Sequence, residues 1–313
     1  MLDVLERAAP RSTGMLRLSA PDQPVLAPAG PGRGRPKVSL GGLERDRPAL
    51  LGLVLFVAIL AMAIFANRIA PHDPAAVHVR DRLALPSGTY WLGTDELGRD
   101  VLSRMVYGAR VSLAVGIIAV GVAATAGVLL GMLATFYGGF VDALIMRALD
   151  GLLAFPSIVL ALAIMSVLGP SLFNAMLAIG IVSIPTFARV TRGSVLSIKS
   201  QQFVEAARVS GASDRYLMLR VLLPNSLSPL LVQLSISFAS AILVEAALSF
   251  LGVGIQPPTP SWGAMLDVGR KYLAQTPWYS ISAGMAIFLT VLSLNLLGDG
   301  LRDSLDPRLR RGT

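Results

Sequence analysis

Several polar and small residues stand at fixed intervals in a loop between two apolar blocks. Glu205 is followed directly by Ala206 and Ala207, and Gly211 comes after three further residues. Alanine favours helix, and glycine readily adopts the positive φ that ends one. Residues 203–210 are therefore predicted to form a short helix that ends at Gly211. Its small side chains would let the backbone enter a groove of another protein. From the helical pattern alone, a helix that rests on the membrane surface is the favoured alternative.

Glu245 is a single carboxylate near the end of a long apolar stretch. An ionisable side chain in the middle of a bilayer costs at least about 2.5 kcal/mol, so such residues usually have a specific partner. One interpretation is that Glu245 lines a path and contacts an amino terminus or a cation. The other is that its carboxylate is tied to a partner subunit or to nearby hydroxyls, such as those of Ser240 and Ser249.

Several kinds of chemistry are missing from the sequence. The chain has no Cys, which excludes disulfides and thiolate chemistry, and no Gly-Lys pair, which excludes a P-loop for nucleotide hydrolysis. The serine hydrolase and zinc protease motifs do not occur. His72 and His78 are too few for a histidine-built metal centre. We therefore predict no catalytic residue and no metal site, and the chain is not expected to be an enzyme.

The composition places most of the chain in a lipid bilayer. Of its 313 residues, 54% are hydrophobic and 15% are charged, whereas about 25% of a soluble domain is charged. The apolar residues form blocks of the length that a membrane-spanning helix needs, which is about 20 residues. The predicted fold class is an all-α integral membrane protein. Six transmembrane helices are predicted, at about 49–66, 111–137, 146–168, 172–188, 227–251 and 278–298.

The basic residues predict the orientation of these spans. Nineteen of the 27 Lys and Arg fall in the two terminal segments and in the loops on the same side of the membrane. Because basic loops tend to stay in the cytoplasm, both termini are predicted to be cytoplasmic. The net charge of +8 is explained by this bias, and no nucleic-acid partner is expected.

The chain divides into tails, spans and loops. Residues 1–47 are rich in Pro and Gly and are predicted to be a disordered cytoplasmic tail. The first span, 48–66, is followed by an extracytoplasmic loop at 67–110, in which apolar spacing at 98–107 predicts a short interfacial helix. The other predicted segments are a transmembrane core at 111–300 with a cytoplasmic loop at 189–226 and an extracytoplasmic loop at 252–277, and a cytoplasmic tail at 301–313.

Three smaller patterns predict how the spans pack and where they end. Gly127 and Gly131 form a G-x-x-x-G pair, which lets a neighbouring helix approach closely. Arg147 and Asp150 are spaced i, i+3 and are expected to pair with each other. The aromatic residues expected at the outer membrane boundary are Trp262, Trp278 and Tyr279.

The spacing around Glu205 resembles the signature of the membrane subunits of ABC importers: E-A-A, three residues, G, nine residues, an aliphatic residue, any residue, then L-P. Valine stands here in place of the usual isoleucine. Segments 92–104, 245–252, 257–263 and 298–307 are similar to the C-type permease subunit of dipeptide, oligopeptide and nickel importers, and the resemblance covers about residues 43–310. The residues that match the signature are Glu205, Ala206, Ala207, Gly211, Val221, Leu223 and Pro224.

This resemblance implies a type I ABC importer-like permease in the cell inner membrane. Two homologous permeases would form the path, and two ABC ATPase subunits, which carry ATP and Mg, would drive it. The helix at 205–211 would be a coupling helix that sits in a cleft of an ATPase subunit. An extracytoplasmic binding protein would deliver the solute. The residues that could dock that protein are Asp95, Glu96, Arg99 and Asp100, although a solvated loop explains them nearly as well.

The predicted function is uptake of dipeptides or oligopeptides. Nickel and glutathione stay open as solutes, because the separate binding protein largely decides specificity in this family. A secondary, ion-coupled transporter is the alternative from another class. That alternative requires an internal repeat and broken helices around an ion site at the bilayer midplane, and the sequence shows no repeat.

Overall fold

The computed structural model of the chain describes residues 47–305. The predicted tail at 1–47 lies outside the described residues apart from Arg47, and so does the 306–313 part of the predicted C-terminal tail. Within 47–305 the chain is helical, with one isolated β-bridge between Thr94 and Asp100 and no strand. In chain order the helices are α1 (Arg47–Ile64), α2 (Ala66–Ile69), a 3-10 turn (Val79–Asp81), α3 (Val101–Tyr137), α4 (Gly139–Leu153), α5 (Ser157–Leu168), α6 (Leu172–Lys199), α7 (Gln202–Val209), α8 (Asp214–Tyr216), a π-helical turn (Leu217–Leu222), α9 (Leu223–Asn225), α10 (Leu227–Phe250), α11 (Trp262–Lys271) and α12 (Pro277–Leu305).

Five single helices, α1, α3, α6, α10 and α12, are long and apolar enough to cross a membrane. The third predicted span, 146–168, is not one helix. It corresponds to α4 and α5, which are bent by 90° at a short break and give a sixth crossing when counted together. Pro156 explains the break, because proline cannot donate the helical hydrogen bond and disfavours helix at the residue before it.

The separate interfacial helix predicted at 98–107 is wrong, since residues 101–107 are the first turns of the 37-residue α3. The Asp100 carboxylate accepts a hydrogen bond from the Ser103 N–H and caps the start of this helix. Gly138, at φ +67°, ends it. At 1.5 Å per residue α3 is about 55 Å long, well beyond the hydrocarbon thickness.

The spans pack so that two ends of the bundle can be distinguished. Helices α3 and α6 run in the same direction, since the contacts between them advance together along both helices: Gly127 lies against Phe187, and Gly131 lies against Thr191. Near Gly52 the start of α1 contacts the last turns of α12. The α7 end of the bundle therefore holds α7, the start of α1 and the ends of α3, α6 and α12. The opposite end, called the loop end, holds residues 70–100 and α11, which meet where Arg82 contacts Tyr272.

Gly131→Ala is expected to lower the thermal stability of the purified chain. An added Cβ would collide with the backbone carbonyl of Ala188 and with Thr191 on α6. Overpacking of this kind costs about 1–3 kcal/mol, and the measurement is the unfolding midpoint in detergent. The control is Gly121→Ala on the same helix, where nothing lies within 4 Å of the added Cβ. A midpoint that falls no further for Gly131→Ala than for Gly121→Ala would contradict the close α3–α6 packing.

Candidate functional site

Helix α7 is held against the bundle by one buried side chain and presents its other side to solvent. Val204 is 2% exposed and packs with Met132, Phe136 and Val195 from α3 and α6. Glu205 and Ala206 are exposed, and Ala207 is half-buried. A face that carries one carboxylate and a small side chain is therefore free at the α7 end of the bundle.

The turn after α7 has the hydrogen bonds of a glycine-ended helix. The Gly211 N–H donates to the Arg208 carbonyl at 3.0 Å, and the Ala212 N–H donates to the Ala207 carbonyl at 3.1 Å. Gly211 has φ +80°, as its place after the helix predicts. These two bonds satisfy carbonyls that the end of α7 would leave free, so Gly211 fixes the direction in which the chain leaves α7.

The second half of the signature lies in the segment that packs against α7. Leu217 and Leu222 are buried at the two ends of a π-helical turn, where i→i+5 bonds bring them to the same face. Val221 and Leu223 are half-buried and Pro224 is exposed. The signature residues thus lie at the end of this turn and directly after it, whereas its buried side chains, Leu217 and Leu222, were not singled out by the sequence reasoning.

Lys199 ties the end of α6 to the end of α3 directly beside α7. Its Nζ donates to the carbonyl of Thr135 at 3.0 Å and to that of Phe136 at 2.8 Å. A cation at a helix C-terminus is favourable because it meets the free carbonyls and the negative end of the helix dipole. The sequence reasoning missed this contact, and the only signal was the position of Lys199 in the last turn of a helix.

Glu245 lies inside the described chain and not on a free surface. The residue is 1% exposed. The Ser249 Oγ donates to its Oε1 at 2.9 Å, and the Ser112 Oγ of α3 lies 3.3 Å from its Oε2. Ser240, the other expected hydroxyl, is exposed and is not one of the hydroxyls that contact Glu245. The geometry fits the hydroxyl interpretation, and contact of Glu245 with a solute would require this cluster to open.

Three of the four charged residues proposed to dock a binding protein are buried inside the loop end. Asp95, Arg99 and Asp100 are 0%, 5% and 1% exposed. The Arg99 Nε donates to the Asp95 Oδ2 at 2.6 Å, and the Arg104 Nε lies 3.3 Å from the same oxygen. These three side chains are therefore too buried to contact a docked binding protein directly.

Glu96 is the half-buried member of this charged segment. Its carboxylate accepts a hydrogen bond from Arg99 at 3.0 Å. Burial, followed by the neighbouring Asp95 carboxylate, raises the pKa of Glu96 above its usual range, and the arginines oppose this shift. A docking role stays a prediction for Glu96, which keeps part of its surface.

Two of the three predicted boundary aromatics are buried. Trp262, at 0% exposed, donates from Nε1 to the Met105 carbonyl at 2.9 Å, and its indole fills the space beside Gly108. Tyr279 is 1% exposed, whereas Trp278 is 48% exposed. The interpretation as boundary anchors is thus wrong for Trp262 and Tyr279, since a glycine on α3 makes room for the first of these rings inside the bundle.

Two ion pairs join α4 to α6. Asp150 pairs with Arg189 at 2.6 Å, and not with Arg147 as expected. Asp142 accepts from Arg192 through both carboxylate oxygens, at 2.7 and 2.6 Å. The i, i+3 spacing of Arg147 and Asp150 was misleading because the facing helix offers a closer partner.

The described residues contain no group of three or more His, Asp or Glu that could hold a metal ion. The candidate site is the surface of α7 with the turn at Gly211, which presents an exposed carboxylate and an exposed small side chain.

Two family models match the chain. The model described as a binding-protein-dependent transport system inner membrane component matches residues 127–311, more than half of the chain. The model for the N-terminal TM domain of oligopeptide transport permease C matches residues 43–86.

Curated relatives are similar over most of the chain. A dipeptide transport system permease protein of Alkalihalophilus pseudofirmus is 44% identical over 268 residues, which cover 86% of this chain and 88% of that protein. A di/tripeptide transport system permease protein of Pseudomonas aeruginosa is 46% identical, with 85% and 89% covered. A glutathione transport system permease protein of Shigella dysenteriae is 47% identical, with 85% and 88% covered.

A solved structure shares the fold. A chain of the MetNI methionine ABC transporter, crystallised in inward-facing conformations, has a TM-score of 0.54 and 18% sequence identity. The match covers 66% of this chain and 97% of that chain.

Proposed function

Since the chain belongs to the family of binding-protein-dependent transport system inner membrane components, we propose that it forms half of the path of an ATP-driven importer that takes up peptides. The chain is a multi-pass membrane protein with an all-helical, type I ABC importer-like fold, as predicted. It is a transport component and not an enzyme. The ion-coupled carrier finds no support among its relatives.

The observation that carries the proposal is the exposed face of α7. A single buried valine holds this helix, so it protrudes with Glu205 and Ala206 free. Small side chains let the helix backbone approach a partner closely, and Glu205 can accept hydrogen bonds from a basic or amide group. We assign to α7 the role of a coupling helix that an ATPase subunit receives in a cleft.

The remaining parts of the proposed machine are separate chains. A homologous permease completes the path, two ATPase subunits bind ATP and Mg, and an extracytoplasmic binding protein delivers the solute. The named relatives handle dipeptides, di- and tripeptides and glutathione, so peptides are the proposed solute class and nickel is the alternative. The proposed location is the inner membrane with both termini in the cytoplasm. This topology agrees with the start of α1 and the end of α12, which both lie at the α7 end.

Copurification tests the proposal. The tagged chain, expressed with the ATPase and permease genes of its own locus, is expected to retain the ATPase in stoichiometric amount. Ala206→Trp is expected to lose most of that ATPase without loss of the chain from the membrane, because the side chain at this position is exposed. The control is Ala274→Trp, at an exposed position between α11 and α12 at the loop end. A chain that never retains an ATPase, or that loses it equally with both variants, would contradict the proposed coupling helix.

A further inference from the structure

Large apolar side chains are exposed in the segment 77–97 at the loop end. Trp91 is 67% exposed, Val79 is 73% exposed and Leu85 is 61% exposed. A group of exposed apolar side chains in a membrane protein marks a contact with lipid or with another protein. We call this group the cap patch, and its members are Val77, Val79, Leu85, Trp91 and Leu97.

Backbone hydrogen bonds hold the two stretches of the cap patch next to each other. The His78 N–H donates to the Leu97 carbonyl at 3.2 Å, and the Thr94 N–H donates to the Ala84 carbonyl at 3.1 Å. Two short segments therefore run side by side in opposite directions, and the members of the patch are neighbours in space. Val77, Val79 and Leu97 lie at one end of this pair of segments, and Leu85 and Trp91 lie near the other end.

The Trp91 end of the cap patch lies beyond the lipid headgroups. Arg110 of α3 donates to the carbonyl of Ile64, where the apolar helix α1 ends. The Gly93 carbonyl accepts from the N–H of Val101, which is nine residues before Arg110 on α3. Those residues span about 13 Å of helix, or about 10 Å along the membrane normal at a tilt of about 40°, whereas the headgroups add about 5–8 Å on each side. This end of the patch therefore faces water or another protein.

The structure under the cap patch is held in place before any partner binds. The Tyr90 hydroxyl donates to the Asp81 Oδ2 at 3.0 Å, and the Tyr90 ring centre lies 5.1 Å from that of His72. The buried Asp95 carboxylate accepts from the Leu97 N–H at 2.9 Å. A surface whose backbone is already ordered loses less conformational entropy on binding. The buried charges of the loop end thus support an interaction surface without forming part of it.

Two exposed arginines lie within the same segment. Arg80 is exposed and has no hydrogen bond or ion pair with any other residue of 47–305. Arg82 is exposed as well, and it donates to the Tyr272 hydroxyl at 3.4 Å. Tryptophan and arginine are the residues most enriched at the centres of protein interfaces. The surface therefore fits a protein partner that presents apolar side chains together with carboxylates.

We propose that the cap patch, with Arg80 and Arg82, is the surface on which the extracytoplasmic binding protein docks. The chain belongs to a binding-protein-dependent family, and the patch lies at the end of the bundle opposite α7, which is the side from which solute arrives. A second permease that completes the path contacts the spans, whereas the Trp91 end of the patch projects beyond them. This inference rests on the proposed function and deepens it, since it assigns docking to exposed apolar residues in place of buried charges.

Cross-linking tests the contact directly. The photoreactive amino acid p-benzoylphenylalanine, placed at position 91 of the complex in lipid nanodiscs, is expected to cross-link to the binding protein of the same locus, identified by mass. Position 140 is the matched control, because Phe140 is 80% exposed but begins α4 directly after the end of α3, at the α7 end. Cross-links from position 91 to lipid or to the second permease in place of the binding protein, with or without a non-hydrolysable ATP analogue, would overturn the proposal.

Affinity measurements then test the energetic role of the patch. Trp91→Ala is expected to raise the Kd of the binding protein for the nanodisc complex about thirtyfold, as truncation of a central interface tryptophan commonly does. Trp278→Ala is the matched control, since Trp278 is 48% exposed but lies outside the cap patch, and it is expected to change the Kd less than about twofold. Arg80→Glu is expected to weaken binding and its salt dependence, whereas Arg80→Lys retains both. ATP hydrolysis without the binding protein is expected to be the same in all variants.

The outcomes separate the cap patch from the proposed function. An unchanged Kd with Trp91→Ala, or an equal rise with Trp278→Ala, would overturn the docking surface. Copurification of the ATPase with the Trp91→Ala chain tests the importer independently, so the surface can fail while the importer stands. A parent complex that retains its ATPase but binds no binding protein of its locus, with or without the ATP analogue, would contradict both the cap patch and the proposed delivery of solute.

Discussion

Gly211→Val is expected to abolish solute uptake, although the chain still folds and enters the membrane. Gly211 has φ +80°, where a residue with a side chain costs about 1–2 kcal/mol and a β-branched one more. Nothing lies within 4 Å of an added Cβ, so the change strains the turn without disturbing the core. The strain is relieved by a new direction of the chain after α7, which moves the coupling face. We expect loss of uptake in cells, and loss of stimulation of ATP hydrolysis by the solute-loaded binding protein in the purified complex.

A control with the same backbone strain is available at the other end of the bundle. Gly252 has φ +78°, and an added Cβ there also meets nothing within 4 Å. Gly252→Val therefore repeats the local cost without touching α7, and it is expected to retain most of the uptake. Normal uptake with Gly211→Val, or an equal loss with Gly252→Val, would contradict the role of this turn in coupling.

The sequence was sufficient where a local pattern determines local structure. The alanines before Gly211 predict a short helix with a glycine end, and α7 ends as predicted because those preferences are set within a few residues. The G-x-x-x-G pair predicts a close helix contact, and the structure provides it through α6. Hydropathy located the five long apolar helices, since a lipid environment admits few alternatives to helix, but it did not reveal the 90° bend between α4 and α5.

Sequence reasoning failed where a charged side chain pairs with a residue that lies far away in the sequence. The second span was predicted to begin at residue 111, which left Arg104 and Arg110 in the loop before it. Yet α3 includes both, and Arg110 Nη2 donates to the carbonyl of Ile64 at the end of α1. Such a contact spans 46 positions and leaves no local pattern. The same limit applies to the buried Asp95, whose surroundings in sequence are those of an ordinary solvated loop.

Asp95→Ala is expected to destabilise the chain more than the removal of any exposed charged side chain. The Asp95 Oδ1 accepts from the backbone N–H groups of Leu97 and Arg99, both at 2.9 Å, and its Oδ2 meets Arg99 and Arg104. Both arginines are about 95% buried, so removal of the carboxylate leaves two positive charges close together without their shared partner. Breaking a buried pair in this way costs about 3–5 kcal/mol. We expect a lower unfolding midpoint in detergent and less chain in the membrane.

Asp267 offers the matched control for this loss of a carboxylate. It also pairs with two cations, Arg270 at 2.8 Å and Lys271 at 3.2 Å, but those side chains are both 57% exposed. Exposed pairs contribute about 0–1 kcal/mol, because water replaces the lost partner, so Asp267→Ala is expected to leave the midpoint nearly unchanged. Each variant removes a carboxylate that two cations share, and the two sites differ in the burial of those cations. If their midpoints fall by the same amount, burial of the 95–104 charges does not hold the loop end together, and a surface role for that segment becomes the better explanation.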